Sequence, residues 1–454
     1  MISLDCYKNK HFGVIGLGKT GRTVVDALLK GGARVSAHDD VLASDNQYQN
    51  LELRDFDWDS MDFLVVSPGV NLLWPRRNLF VEMAQRHFIP LINDIDLFQL
   101  QAPGKKICIT GANGKSTTAA LVHHMLERAG KRASIGGNFG VPVLSLEMNS
   151  NFYVLELSSY QLESCNILGF DTAVLLNITP DHLTRHGGMA GYVAAKQKIF
   201  AGFGAESKAI VGVDDEHCLE ICKFLKSAKH PNLVPISGKM IPDLGIGWNG
   251  DNLVDNRFGS QEIVCHAHRR LDGVHNRQNI AAAYAVCMAN DVTGEDFCAN
   301  LSSFCGLEHR QEFVDNICGV QYINDSKATN ADAAEQALGR FDGIIWILGG
   351  RPKENGISSL VKYFSRIKFA FLIGEAAEEW SQFLQKHGVD NEIAGALDIA
   401  VGRAHEMAKN CQAKVVLLSP VCASFDQFKD FEDRGNKFKT LVADLRSKNS
   451  GLRQ

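Results

Sequence analysis

Short apolar runs rich in Val, Ile and Leu alternate along the chain with helical patterns, which predicts parallel sheets covered by helices. In the first block the runs are FGVIG (12 to 16), RVSAHD (34 to 39) and DFLVVSPG (62 to 69), and the block ends near Asp94. Beyond the polar segment QAPGKK (101 to 106), a second series opens with ICIT (107 to 110), FYVLEL (152 to 157), TAVLLN (172 to 177) and KAIVGV (208 to 213). A third follows FCGLEHR (304 to 310), with VQYIND (320 to 325), GIIWILGG (343 to 350), FAFLIGE (369 to 375) and KVVLLSP (414 to 420). The expectation is an α/β protein of three blocks, 1–94, 95–305 and 306–454, joined by short hinges.

Composition changes this picture little. The 454 residues suit about three domains, and 45% hydrophobic with 22% charged content is ordinary for a globular protein. A net charge of -5 offers no basic surface to nucleic acid or anionic lipid. The first residues carry no basic segment followed by a long apolar run, and no run reaches the ~18 residues of a membrane span. Twelve cysteines scattered singly read as reduced thiols. A cytoplasmic monomer without nucleic-acid or membrane partners is expected. Cys218, Cys222, Cys265 and His268 have zinc-ligand chemistry, but their spacing also suits a helix face and a strand, and buried inert thiols are the favoured reading.

The segment ITGANGKSTTAA (109 to 120) lacks one glycine of the usual phosphate loop G-x-x-x-x-G-K-S/T, because Ile109 stands where that pattern wants glycine. It still follows a strand and opens a helix. Gly111 and Gly114 permit a tight turn with inward N–H groups, Lys115 suits β- and γ-phosphates, and the hydroxyl of Ser116 or Thr117 suits Mg²⁺. In the first block Gly16-x-Gly18-x-x-Gly21 follows a strand and Asp39 ends the next, the dinucleotide fingerprint. Alone it predicts NAD or FAD, yet a block of about 94 residues supplies one mononucleotide half, which fits a diphosphate with one nucleoside. The turn SPGV (67 to 70) offers further backbone donors.

Glu156 ends an apolar strand, where it is either a Mg²⁺ ligand or a solvent-facing residue of an edge strand. TAVLLN runs into ITPDHLTRHGG, delivering Asp181 and His182 to the same sheet edge, and the helical GYVAAKQKIF carries Lys196 and Lys198, which helix position alone would put on the surface. Asn276 and Asn279 share a helix face near His275 and are suited to reading a base edge or to simple capping. The third block presents Arg310, then Asp325, Ser326, Lys327, Thr329 and Asn330, then Lys353 and the segment LLSPVCASFDQFKDFEDRG, all on loops after strands. Lys, Thr, Lys and Ser on strand-end loops suit a carboxylate ligand.

Together these segments resemble the Mur ligase family of ATP-dependent amide-forming enzymes, whose phosphate loop has the short form T/S-G-x-N-G-K-S/T. TGANGKST fits it, and Ile109 then completes the strand. The resemblance covers the whole chain in order: GLGKTG, TGANGKST, ELSSYQLE, NITPDHLTRH, AAKQKIF, HNRQN, HR, NDSKATN, LGG and SPVCASFDQFKDFEDRG, the last being particularly like the D-glutamate-adding members. It implies a Rossmann-like first domain, a central P-loop ATPase-like domain and a Rossmann-like third domain. It implies ATP, two Mg²⁺ ions, UDP-N-acetylmuramoyl-L-alanine and D-glutamate as the small molecules handled.

By the same resemblance, Gly18, Lys19, Thr20, Asp39 and the Ser67, Pro68, Gly69 turn hold the uridine diphosphate, and Asn138 contacts the nucleotide-sugar substrate. Gly111, Asn113, Gly114, Lys115, Ser116 and Thr117 cradle ATP, with Ser116 and Glu156 on its Mg²⁺, Asn276 and Asn279 at the adenine, and Arg310 and Asp325 on ATP from the C-terminal side. His182 and Lys196, the lysine as its carbamate, hold a second Mg²⁺, while Lys327, Thr329, Lys353, Ser424 and Phe431 surround D-glutamate. Two departures stand out: LGGRPKENGIS is longer and less acidic than is common after this Gly-Gly, and Lys19 replaces an apolar residue. An NAD-dependent oxidoreductase would leave residues 110 to 117 unexplained. The remaining rivals are a nucleotide-dependent switch protein and a different amide ligase of Mur or folylpolyglutamate type.

Overall fold

The computed structural model describes residues 1–41, 49–230, 232–259, 261–263, 271, 273–352 and 356–451. The chain forms two compact units, Met1–Cys305 and Gly306–Gln454. The first holds two sheets. The smaller is parallel, with strands in the order Arg34–His38, His11–Ile15, Phe63–Val66 and Leu91–Ile92. Every residue of His11–Ile15 is buried, as a strand covered on both faces requires.

The larger sheet has nine strands. Gln261–Ile263, Asn252–Asp255 and Ile246–Asn249 form an antiparallel edge. A parallel run follows through Leu233–Ile236, Lys208–Gly212, Thr172–Leu175, Lys105–Thr110, Phe152–Glu156 and Ala133–Gly137. The strand before the phosphate loop, Lys105–Thr110, is central. The chain leaves it for Ala133–Gly137 on one side and later returns to Thr172–Leu175 on the other, so its C-terminal end is a topological switch point, where such sheets bind ligands.

One apolar cluster runs from Phe12, Val14 and Leu28 through Leu97 and Phe98 to Leu155, Phe170 and Leu175, so the first two sheets share a core. The helix Asp94–Gln101 stitches them. Its capping box joins Asn93 and Asp96, Asn93 Nδ2 donates to the Gln161 carbonyl (2.9 Å), and Asp96 Oδ1 accepts the N–H groups of Asn166 and Ile167 (2.8 and 2.6 Å).

The second unit is a six-stranded sheet. Glu312–Ile317 lies antiparallel to Val320–Asn324, and the remainder is parallel in the order Val415–Leu418, Ile344–Gly349, Ile367–Ile373, Asn391–Gly395. All six positions of Ile344–Gly349 are buried beneath helices on both faces. Among the described residues no helix is long and apolar enough to cross a membrane.

Candidate functional site

The phosphate loop is held open from below and from the side. Gly111 (φ 156°) and Gly114 (φ 85°) adopt backbone conformations that other residues rarely take. Gly114 caps the helix Lys115–Arg128 without a side-chain bond, which leaves the helix N–H groups facing the loop. A Cβ at position 114 would collide with Asn279 Oδ1. That oxygen accepts from Thr118 Oγ1 (3.2 Å), while Asn279 Nδ2 donates to Asn276 Oδ1 (3.1 Å). Asn279 is 2% exposed and supports the underside of the loop.

Asn177 holds the loop's outer side. Its Oδ1 accepts the Asn113 N–H (2.8 Å), its Nδ2 donates to the Asn113 carbonyl (3.1 Å), and its own carbonyl accepts the Ala112 N–H (2.8 Å). Gln278 braces it at 3.0 Å and in turn donates to Asp214 (3.0 Å). The one sequence signal is a polar residue ending an apolar strand.

Two lysines meet at this loop. Lys115 Nζ donates to the carbonyls of Gly111 (3.0 Å) and Ala112 (2.8 Å), and Lys196 Nζ donates to the same Gly111 carbonyl (2.8 Å). Lys196 is 2% exposed, contrary to what its helix position suggests. Burial, reinforced by the Lys115 charge, pushes its pKa down to about 7. Lys198, expected as a mostly exposed ammonium, is half-buried instead. Its Nζ donates to the carbonyls of Glu163 and Cys165 (both 2.8 Å), satisfying the end of the helix Ser159–Ser164.

His182 occupies a left-handed conformation (φ 53°) just before the turn Leu183–His186, half exposed and 3.4 Å from Asp181. Burial lowers its pKa against the opposing Asp181, and the charges of His186, Lys115 and Lys196 add to the lowering. Glu156 is no edge residue. Its strand lies inside the sheet, the side chain is 2% exposed, and Oε1 accepts from Asn138 Nδ2 (2.7 Å). Its Oε2 is buried with no hydrogen-bond partner among the described residues, the condition a bound cation would relieve. Together with the Ser116 hydroxyl in the first turn of the helix Lys115–Arg128, this is an oxygen donor set of the kind Mg²⁺ prefers. No group of three or more His, Cys, Asp or Glu residues that could hold a metal occurs among the described residues, so a metal here would also need hydroxyl or ligand oxygens.

In the first sheet, Gly16 (φ 86°) begins the Gly-rich turn and Gly18 caps the helix Lys19–Lys30, whose second residue is Thr20. The Asp39 carboxylate is engaged by that turn: Oδ2 accepts the Leu17 N–H (2.6 Å) and Oδ1 the Val41 N–H (2.9 Å). Ser67 Oγ donates to the Gly16 carbonyl (2.6 Å), tying the turn that includes Pro68 and Gly69 to the Gly-rich one. Lys19 reaches across to the Gly140 carbonyl (2.9 Å). Arg185 Nη2 donates to the Val70 carbonyl (2.9 Å), and a Cβ on Gly187 would come within 2.6 Å of Trp74 Nε1. The Ser67–Val70 turn is thereby fixed on the segment that carries His182.

In the second unit, Asp325 is 3% exposed, with Oδ2 accepting from Ser419 Oγ (2.8 Å) and Oδ1 from the Gln311 N–H (3.1 Å). Burial pushes its pKa up to about 7, opposed by those two bonds and by the Arg310 charge. Lys327 Nζ lies 5.3 Å from the centre of the Phe431 ring, Ser424 is buried, and Thr329 is half-buried in the loop before the helix Ala331–Arg340. Lys353 lies outside the described residues, as do Cys265 and His268. Cys218 and Cys222 are buried free thiols on one helix.

Residues 109–287 match the Mur ligase middle domain and residues 309–422 the Mur ligase glutamate ligase domain. The chain is 42% identical to the UDP-N-acetylmuramoylalanine–D-glutamate ligase of Caulobacter vibrioides (strain NA1000 / CB15N), over 98% of both chains. It is 43% identical to the ligase of the same name from Rhodospirillum rubrum, over 98% of this chain and 97% of that one. The fold is similar to that of UDP-N-acetylmuramate–alanine ligase from Thermotoga maritima, with a TM-score of 0.56 at 16% identity over 96% of this chain and 99% of the other. The chain belongs to the Mur ligase family.

Proposed function

We propose that this protein is the ATP-dependent ligase that adds D-glutamate to UDP-N-acetylmuramoyl-L-alanine in the synthesis of peptidoglycan precursors. Identity above 40% along the full length of ligases with that activity in their names supports the reading. The observation that carries it is the convergence of Lys115 and Lys196 on the Gly111 carbonyl of a phosphate loop, with the orphaned oxygen of Glu156 in the same unit. Residues 1–94 hold the uridine diphosphate through the Gly16–Gly18 and Ser67–Gly69 turns, residues 95–305 hold ATP, and residues 306–454 hold D-glutamate through Lys327, Thr329, Lys353, Ser424 and Phe431. The enzyme works in the cytoplasm as a monomer.

The substrate carboxylate attacks the γ-phosphorus of ATP. One O–P bond forms, the bond to the bridging oxygen breaks, and ADP leaves. Lys115 offsets the charge that gathers on the phosphoryl oxygens, and the N–H groups of Gly114 and of the first turn of the helix Lys115–Arg128 orient them. The D-glutamate amine then attacks the acyl carbon, a C–N bond forms, phosphate departs and the amine loses a proton. Ser116 and Glu156 would hold one Mg²⁺, and His182 with the carbamate of Lys196 a second; bound there, the metals would supply further charge neutralisation. A pKa near 7 gives Lys196 the neutral amine that adds to CO₂, forming an N–C bond and releasing a proton, so that its charge becomes negative.

The test is phosphate release with ATP, Mg²⁺ and UDP-N-acetylmuramoyl-L-alanine against a panel of amino acids. Release should require every component and be fastest with D-glutamate. Release that is independent of the amino acid, or tight NADH binding, would count against the reading.

A further inference from the structure

The second unit buries a positive charge that the proposed reaction does not use. Arg434, in the first turn of the helix Phe431–Gly451, is 1% exposed. Its Nε donates to Ser326 Oγ (3.0 Å), Nη2 to the carbonyls of Ser326 (2.9 Å) and Cys422 (3.0 Å), and Nη1 to the carbonyl of Gly349 (3.5 Å). These acceptors belong to three different strand ends, those of Val320–Asn324, Ile344–Gly349 and Val415–Leu418, which are neighbours in the sheet. The Ser326 hydroxyl donates onward to the Phe431 carbonyl (2.8 Å), closing the loops onto the helix.

Neutral donors would satisfy three carbonyls and a hydroxyl equally well, whereas burying a guanidinium costs desolvation that an ion pair normally offsets. Among the described residues no carboxylate lies within ion-pair distance of Arg434; its acceptors are all neutral. Burial pushes its pKa down to about 10, so the charge persists at neutral pH. The Asp426 carboxylate acts on that charge only from beyond ion-pair distance, so a buried cation still projects a positive potential onto the loops that hold it. Those loops and that helix carry Lys327, Thr329, Ser424 and Phe431.

We propose that Arg434 is the positioning residue that makes this pocket accept an acidic amino acid: its fork locks three strand-end loops in register, and its charge, which no direct ion pair neutralises, favours a ligand with a second carboxylate. The inference rests on the reading of the second unit as the amino-acid pocket. A purely structural arginine would give the same hydrogen bonds but no effect on selectivity, and two variants of the full chain separate these roles. Arg434→Gln removes the charge and keeps some of the bonds, while Arg434→Lys keeps the charge and loses the fork.

With ATP and UDP-N-acetylmuramoyl-L-alanine saturating, D-glutamate and D-glutamine are each varied. Arg434→Gln should lower the D-glutamate to D-glutamine ratio of kcat/KM by about tenfold or more, with KM for ATP and for the UDP substrate changed less than about twofold. Arg434→Lys should raise KM for D-glutamate but leave that ratio within about threefold of wild type. Arg434→Gln with an unaltered ratio, or a parallel rise of all three KM values with a falling Tm, would overturn the proposal. If Arg434→Gln does not fold, Ser326→Ala removes one acceptor and spares the charge. It should raise KM for D-glutamate, and an unchanged KM would overturn the loop-locking role. A wild-type enzyme indifferent to D-glutamate would instead sink the pocket reading itself.

Discussion

The strand ends of the nine-stranded and the six-stranded sheets are built alike and charged differently. At the first, Lys115 and Lys196 converge on one carbonyl, and a buried carboxylate of the same unit keeps an oxygen with no hydrogen-bond partner among the described residues. At the second, buried charged groups meet only neutral partners in their hydrogen bonds: Arg434 three carbonyls and a hydroxyl, Asp325 a hydroxyl and an N–H. Burial shifts the two edges in opposite senses. The Lys196 cost is present below about pH 7 and is relieved as pH rises, whereas the Asp325 cost is absent in acid and grows as pH rises towards about 7. One parallel architecture thus carries its charge in two ways, clustered on a loop at one edge and buried among neutral acceptors at the other.

The most severe way to break this contrast is Lys115→Ala. Turnover should fall by about 10³-fold or more while Tm moves only a few degrees, because the loss is of charge at the reacting phosphoryl group and not of packing. Turnover assays beside thermal unfolding check it, and near-normal turnover would remove the loop from the chemistry. Next comes Lys196→Ala, expected to lose about 10²-fold or more and to be partly restored by acetate. Carbon-13 NMR with labelled bicarbonate should detect the carbamate in wild type and not in the variant.

Asp325→Asn sharpens the pH side of the comparison. A folded-state pKa raised above the unfolded value means that the native form holds its proton more tightly, so wild-type stability declines between about pH 4 and 7. The variant lacks that decline, and the difference between its stabilities at pH 5 and pH 8 should be smaller by on the order of 2 kcal/mol in denaturant titrations. In Asp39→Ala the Gly-rich turn loses its Leu17 anchor, and KM for the UDP substrate should rise roughly tenfold with KM for ATP nearly unchanged. The smallest effect is expected from Lys198→Ala, which should keep its activity and lose about 1 kcal/mol of stability, since its ammonium satisfies two helix-end carbonyls. Substantial activity loss there would mean that the two lysines of this segment share a role.

Local signals were legible in the sequence because they act over a few residues. The strand, Gly-rich turn and helix around 110 to 117 follow from apolar run, glycine and lysine in order. Long-range facts were not. Helix spacing put Asn276 and Asn279 on one face, but only the fold reveals that Asn279 lies against Gly114. Lys196 looked like a surface residue because its burial depends on a carbonyl 85 positions away. Glu156 carried two readings until strand order put it inside the sheet. Asn177 shows in sequence only as a polar residue ending an apolar strand and Arg434 only as one charge in FEDRG, because the backbone groups they bind lie on distant loops.

The Asn177 amide binds both the N–H and the carbonyl of Asn113, the pairing that one strand residue offers another. In effect a side chain acts as an extra rung of the sheet, and the tip of the phosphate loop is tied down by the protein's own groups. An incoming phosphate therefore meets donors whose ordering entropy was settled when the chain folded. The encounter can be limited by diffusion and desolvation instead of by loop closure.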